Sequence, residues 1–262
     1  MNKNFTIATW NVNSLRVRLD HVLKWLAIRQ PDVLALQETK VEDEHFPQEA
    51  LRQAGYHVFF NGQKTYNGVA IISRMPMRNP ITILPDVDAN QRRILIVSID
   101  VLRIVNIYVP NGAVIGSNKY DYKLNWLSKL QEQLQHELDQ HPNLIVLGDF
   151  NIAPEDKDVH DPAAWEGHVL VSLQERQALR EMLELGLIDS FRLFNLESGY
   201  YSWWDYRAGA FRRNHGLRID HILSSAALAP HCVKCEIDTS TRRWEKPSDH
   251  VPVIASYRDI LT

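Results

Sequence analysis

NLIVLGDFN, residues Asn143 to Asn151, is the stretch from which the fold can be read. Leu144, Ile145, Val146 and Leu147 form a continuous apolar run. It is too short for a helix and right for a strand buried on both faces. Gly148 follows, where the backbone can turn without a Cβ penalty. In extended chain, residues two apart point the same way, so Asp149 and Asn151 are expected to face one pocket with Phe150 packed behind them. A carboxylate and an amide leaving a buried strand together suit a hard metal ion or a polarised water. A plain Asx turn would use the same residues, so the reading depends on whether the construction recurs.

It recurs along the chain. Residues 6–10 read as a strand ending in Asn11-Val12-Asn13, followed by a polar turn carrying Arg16 and Arg18. A helix then runs to about Gln30, with Leu19, Val22, Leu23 and Leu26 on one face and Pro31 just beyond. Residues 32–36 form the next strand, which ends at Gln37-Glu38-Thr39-Lys40, and 42–54 read as an acidic helix. Residues 56–60 suggest a short strand, and the turn Tyr66-Asn67-Gly68 leads into another at 69–73. Residues 92–100 and 103–109 read as an antiparallel pair, the second presenting Asn106 and Tyr108 before Pro110-Asn111-Gly112. A helix over 120–141, with Leu124, Leu127, Leu134 and Leu138 on its buried stripe, delivers the chain to NLIVLGDFN.

Beyond that strand come a long polar loop (153–172), a helix (173–185), an extended aromatic segment (200–206) and a basic turn (207–216). Residues 217–224 read as a strand with Asp220 at its middle, and 233–238 as another. Ser248-Asp249-His250 introduces a last strand over 251–257. No Gly/Ser/Pro linker or low-complexity tract divides the chain, and no sequence repeat is strong enough to claim duplication. The expectation is one domain over 1–262: two mixed sheets packed face to face with helices outside, an α/β sandwich of four layers. Strand-end loops would then gather at one rim, where such folds keep their chemistry.

Hydrophobic residues make up 45% and charged residues 23% of the 262 positions, ordinary for a globular protein. A formal net charge of -3 argues against a generally basic nucleic-acid coater without excluding a local basic face. No stretch of about 18 apolar residues occurs, and MNKNFTIATW lacks a long apolar core. A protein that is not in a membrane and, in a bacterium, is cytoplasmic and acts at the nucleoid is expected. Cys232 and Cys235 are too few for a tetrahedral zinc site and lead into a strand rather than a helix, so they read as reduced structural thiols.

Basic residues sit beside the polar strand ends. Arg16 and Arg18 follow the first and Lys40 the second, while Arg207, Arg212, Arg213 and Arg218 precede Asp220, and Arg242, Arg243 and Lys246 precede Asp249. The acids concentrate in helical stretches instead. A basic rim on a mildly acidic protein is the footprint of an enzyme that grips phosphates locally. Trp203, Trp204, Tyr206 and Phe211 interleave with the arginines and are candidates to stack on bases.

Together TWNVNSLR, LALQETK, YVPNG, LGDFNIAP, GLRIDHIL and KPSDHVPV closely resemble the motifs of the exonuclease III family of AP (apurinic/apyrimidinic) endonucleases, within the endonuclease/exonuclease/phosphatase superfamily. The resemblance runs from Thr6 to Tyr257, in the family's order. It implies a DNase I-like four-layer sandwich and Mg²⁺-dependent cleavage of DNA phosphodiesters, with Mn²⁺ as a substitute, on double-stranded DNA carrying an abasic site or a damaged 3′ end. It implies Glu38 as a metal ligand, with Asn11, Asp149, Asn151, Asp249 and His250 around metal and phosphate. Tyr108 matches the phosphate-contacting tyrosine, Asp149 the residue that activates or positions water, and Asp220 with His250 the aspartate–histidine pair. Trp203 and Leu217 fall where the family lines its pocket for a flipped-out deoxyribose. DNA contacts are expected from Arg16, Arg18, Lys40, Asn67, Asn111, Arg207, Arg212, Arg213 and Arg218. A monomer is the default for an enzyme that must wrap a duplex edge.

A relative cleaving inositol phosphates or phospholipids would share the Glu, Asp-x-Asn and Asp-His elements but would not need the basic, aromatic segment 203–218. A non-catalytic DNA-binding module would need none of the acids or the imidazole. The loop 158–172 departs in length and composition from the best-known family members. One expectation is a surface loop pinned by Trp165. The sharper one is that His168 or Leu170 projects over the pocket and favours 3′-terminal trimming over internal incision.

Overall fold

Strands form where short β-branched and apolar runs lie between turn residues. The computed structural model describes residues 4–261. In chain order the elements are β1 (Phe5–Asn11), α1 (Leu15–Arg29), β2 (Val33–Gln37), α2 (Gln48–Gln53), β3 (His57–Asn61), β4 (Val69–Ser73), β5 (Arg78–Ile81), β6 (Ile94–Ile99), β7 (Leu102–Tyr108), α3 (Asn118–Gln140), β8 (Leu144–Asp149), α4 (Pro162–Trp165), α5 (Leu173–Glu184), β9 (Leu187–Asp189), α6 (Ala210–Arg213), β10 (Asp220–Ser225), β11 (Cys232–Ile237) and β12 (Val253–Tyr257).

Two six-stranded sheets result, ordered β11-β12-β1-β2-β4-β3 and β5-β6-β7-β8-β10-β9. Each has one parallel pair at its centre, β1/β2 and β7/β8, joined by a crossover helix, α1 and α3 respectively. Antiparallel neighbours flank each pair in the same order. The two sheets therefore share one strand arrangement, although β11 and β12 join the first from the far end of the chain whereas β5 and β6 run directly into β7 in the second.

Side chains of β8 alternate as its burial requires. Ile145 and Leu147 enter the core between the sheets, while Leu144 and Val146 pack outward with Trp126, Leu127 and Leu130 of α3. In β1, Phe5 and Ile7 face the same inter-sheet core, and Ala8 and Trp10 meet Val22, Trp25 and Leu26 of α1. The four layers expected from the sequence follow. The C-terminal ends of β1, β2, β7 and β8 and the starts of β4, β6, β10 and β12 share one rim.

Several elements differ from the expectation. The helix over 42–54 is broken: a single 3-10 turn spans Asp43–His45, and α2 begins only at Gln48. Pro47 disfavours helical backbone at the residue before it, and Phe46 is extended, with φ -66 and ψ 130. The buried stripe of α3 is Tyr120, Lys123, Trp126, Leu127, Leu130 and Leu134, which moves Leu124 and Leu138 to its margin. The loop 153–172 contains α4 and a 3-10 turn at Asp156–Asp158. Edge strands β5 and β9 carry no readable alternation; one contains Pro80 and the other has 3 residues. Gly148 lies inside β8 rather than in a turn. A Cβ there would stand 1.9 Å from the carbonyl oxygen of Ile107, so glycine is needed for close approach of the neighbouring strand. Cys232 and Cys235 are free, buried thiols on β11, as expected.

Candidate active site

Strand ends from both sheets meet at the rim. Asn11, at the end of β1, donates from its one amide nitrogen to Glu38 Oε1 at 2.8 Å and to Asp149 Oδ2 at 2.9 Å. A carboxylate from each sheet is thereby held on a shared donor. Asn11 Oδ1 accepts the Asn13 backbone N–H, so this amide orients the acids rather than offering a free oxygen. Glu38 has φ +50, and Asn13, Lys40, Asn67 and Asn151 are also left-handed. Such backbone costs of order 1–3 kcal/mol per residue and tends to gather at functional sites.

Asp149 and Asn151 do share a side, through a different device from the one expected. The strand ends at Asp149, Asn151 has φ +49, and its N–H donates to Asp149 Oδ1 at 2.9 Å. An Asx turn, not strand alternation, brings them together. Behind them Lys123 of α3 is fully buried; its ammonium donates to the carbonyls of Asn151, at 2.7 Å, and Asn111, at 3.2 Å, and pairs with Glu175 of α5. Only its place on an apolar stripe could have singled it out.

His250 donates from Nδ1 to Asp220 Oδ2 at 2.8 Å, and its Nε2 stands 3.7 Å from Asp149 Oδ2. Ser202 donates to the same Asp220 oxygen at 2.6 Å, a contact without a sequence signal. Burial opposes charge on the imidazole, but the carboxylates of Asp220 and Asp149 outweigh it and push its pKa up to about 10. His250 is therefore an imidazolium at neutral pH. Burial raises the Asp149 carboxyl, with Asp220 and Glu38 adding to the rise and His250 and Asn11 opposing it. Burial and the charges of Glu38 and Asp149 keep the Tyr108 phenol protonated.

Glu38, Asp149 and His250 place one ligand-competent atom each within 4.8 Å of one another. The Nδ1 of His250 is taken up by Asp220, and the hard oxygen donors of the group are the two carboxylates. Two hard oxygen donors at a solvent-facing rim suit a divalent cation that keeps several of its waters. Lys40 Nζ lies 2.9 Å from Glu38 Oε2 and 2.6 Å from Asn13 Oδ1, so this cation belongs to the site rather than to an outer DNA face. Asp249 sits one step away, accepting from Trp203 Nε1 and Asn13 Nδ2, both at 3.0 Å. Burial would raise its carboxyl, but His250 and these donors hold it below the usual carboxylate range.

Four expected DNA contacts are reassigned. Arg218 is buried, bonded to Asp158 at 2.6 Å and Asp189 at 2.8 Å, because a guanidinium in the interior needs carboxylates around it. Leu217 is fully buried among Ala153, Val159, Leu170 and Ile219 and lines no open surface. Arg18 reaches the carbonyls of Asn13, Lys246 and Pro247 and the Tyr206 hydroxyl, clipping the start of α1 to the segment before Asp249. Asn67 is buried, its side chain bonded to Gln63 and its carbonyl to the Lys40 N–H. Leu170 is buried in the same cluster as Leu217, which removes it from the pocket mouth. Asn106, expected to be presented with Tyr108 at its strand end, is buried between the sheets. Arg16, Asn111, Arg207, Arg212 and Arg213 are exposed, with Arg207 paired to Asp205 and Asn111 3.4 Å from Asn151 Oδ1. Trp203 is half-buried and meets Trp165 edge-on, with ring centroids 6.3 Å apart.

Among the described residues no helix is long and apolar enough to cross a membrane. The profile of the endonuclease/exonuclease/phosphatase family matches residues 8–250. Exodeoxyribonuclease III of Haemophilus influenzae is 36% identical over 95% of this chain and 98% of its own. Among solved structures, a 3′-5′ exonuclease from Neisseria meningitidis superposes with a TM-score of 0.95 at 45% identity, covering 97% of this chain and 99% of that one. An AP endonuclease from Archaeoglobus fulgidus does so with a TM-score of 0.94 at 41% identity over the same shares. By profile, by identity and by the strand-end geometry described above, the chain belongs to the endonuclease/exonuclease/phosphatase family, among its nucleases of the exonuclease III type.

Proposed function

We propose that this protein is a DNA-repair phosphodiesterase that hydrolyses the backbone of double-stranded DNA at abasic sites and blocked 3′ ends, working as a monomeric single catalytic domain with Mg²⁺, or Mn²⁺ in its place. The observation that carries this reading is the convergence of Glu38 and Asp149 with the Asp220–His250 pair at one rim. Glu38 and Asp149, aligned by Asn11, would hold the cation. When bound, that cation supplies a positive charge against the phosphate oxygens.

Asp149 orients the attacking water and accepts its proton. Asp220 accepts a hydrogen bond from Nδ1–H of His250, which leaves Nε2–H free to donate to a phosphate oxygen as negative charge builds. The Tyr108 hydroxyl, protonated in this setting, is a second donor to the phosphate. The basic surface then serves for grip. The test is a nicking assay on an abasic duplex and on a duplex with a 3′-phosphate, with Mg²⁺ and with EDTA. Cleavage should require the metal, and Glu38→Gln should raise the Mg²⁺ concentration at half-maximal rate. Failure to cut either duplex would overturn the reading.

The edge contact of Trp165 with Trp203 favours a narrower second reading, in which the 162–168 segment shapes the pocket mouth. His168 is exposed and packs at 6.0 Å on Trp165. In that reading His168 disfavours a duplex continuing past the lesion, and 3′-end trimming predominates.

A further inference from the structure

Directly beneath the site the core between the two sheets carries a buried polar rung, separate from the Ser190–Ser224–Tyr257 hydroxyl cluster and from the Asn61 contact to the Ile94 carbonyl. Thr9, Gln37 and Asn106 are each fully buried. Asn106 of β7 reaches across to the other sheet and donates from Nδ2 to the carbonyls of Leu36, at 3.0 Å, and Ala70, at 2.9 Å, which face each other on β2 and β4. Those two acceptors decide which way its amide points. Asn106 Oδ1 must then meet a donor, and it accepts from Gln37 Nε2 at 2.7 Å; the same nitrogen donates to Thr9 Oγ1 at 2.9 Å. The order carbonyls, Asn106, Gln37, Thr9 allows no amide flip. It leaves Gln37 Oε1 buried with no partner.

An imperfectly satisfied polar cluster inside an apolar interface costs stability, about 1–3 kcal/mol for an orphaned group. Its position suggests what it provides. Gln37 directly precedes Glu38, Thr9 is two residues from Asn11, and Asn106 is two residues from Tyr108. Because strand side chains repeat every second residue, Thr9 and Asn106 point to the same side as Asn11 and Tyr108, one rung deeper. Glu38 and Asn11 come from one sheet, and Asp149 and Tyr108 from the other. Their spacing depends on how the sheets sit on each other at this end, and apolar packing alone tolerates sliding better than directional bonds do.

We infer that Thr9, Gln37 and Asn106 form an inter-sheet clamp, a set of positioning residues that fixes the distance between Glu38 and Asp149 and so sets the affinity of the cation site. This inference rests on the reading of Glu38 and Asp149 as the cation's ligands. The experiment replaces the rung by apolar groups of similar size, Gln37→Met with Asn106→Leu, and follows Mn²⁺ binding to the free protein by electron paramagnetic resonance. Thermal unfolding, kcat and KM on an abasic duplex are measured alongside. The double variant removes the Gln37–Asn106 bond as a pair but takes a donor from the Thr9 hydroxyl and from the Leu36 and Ala70 carbonyls, so Tm should fall modestly. Mn²⁺ affinity should fall roughly tenfold, the low end for partners that orient metal ligands. At saturating metal kcat should fall by about an order of magnitude with KM little changed, as expected for misplaced reacting groups.

Unchanged Mn²⁺ affinity and kcat, whatever happens to Tm, would overturn the clamp and leave a purely structural rung. Should the double variant not fold, Asn106→Ser removes the reach across the interface with less disturbance, and unaltered Mn²⁺ affinity in it overturns the clamp equally. Glu38→Gln is the control. If it too binds Mn²⁺ normally, the ligand assignment fails and the clamp fails with it; if only Glu38→Gln weakens binding, the clamp alone is wrong.

Discussion

His250 shows how one residue's chemistry is set by its neighbours. Its Nδ1 is committed to Asp220 and its charge is held by Asp220 and Asp149, so in the proposed reaction it would act as a donor. His250→Asn should lose most activity, and Asp220→Asn should lose part of it through the same imidazole. In a double-mutant cycle of kcat/KM the two losses should fall well short of additive; purely additive losses would show that they do not act as a pair. At the pocket mouth, His168→Gly should raise internal abasic cleavage relative to removal of a 3′-phosphate. An unaltered ratio would return the segment to the role of a loop pinned by Trp165.

Among the elements, the connection between β8 and β10 depends on a buried ionic cluster. Asp158 is held by Arg218 and Arg192, Arg218 also donates to His221 Nδ1, and His221 Nε2 donates to the carbonyl of Ile152, just past Asn151. Burial by itself would raise the Asp158 carboxyl, but the guanidiniums of Arg218 and Arg192 overcome it and hold its pKa below the ordinary value. A carboxylate with a lowered folded-state pKa stabilises the fold above its unfolded pKa of about 3.9, and that contribution is lost as pH falls through the folded value. Asp158→Asn should destabilise the protein at neutral pH by roughly 3–5 kcal/mol, the usual cost of breaking a buried pair. The gap between variant and parent in urea melts should narrow below about pH 4. A gap that stays constant down to strong acid would mean that Asp158 carries no stabilising charge.

Across the whole molecule, a formal net charge of -3 coexists with the exposed arginines Arg16, Arg207, Arg212 and Arg213. Arg16, Arg212 and Arg213 are exposed, whereas Arg18, Lys40 and Arg218 are spent on internal bonds. In the proposed function, grip on phosphate would then fall to fewer side chains than the count of basic residues suggests. Neutralising Arg212 and Arg213 together should lower the magnitude of the slope of log affinity against log salt by roughly one to two units if both touch phosphates. An unchanged slope would place α6 away from the DNA.

The sequence by itself determined the four layers and the strand ends that carry chemistry. Short apolar runs closed by Asp149, Glu38, Asn11 and Tyr108 are local patterns, and burial on two faces dictates such runs. It also determined the pairing of Asp220 with His250, through motifs shared with a known family. Only the tertiary structure decided which polar groups at those ends are free. Arg218, Arg18 and Asn106 have the same residue types as true surface contacts, yet each is consumed by partners far away in the chain, such as Asp158 for Arg218 and Ala70 for Asn106. The strand arrangement shared by the two sheets was hidden for the same reason. Strand order and register are set by contacts between distant residues, and no local period records them.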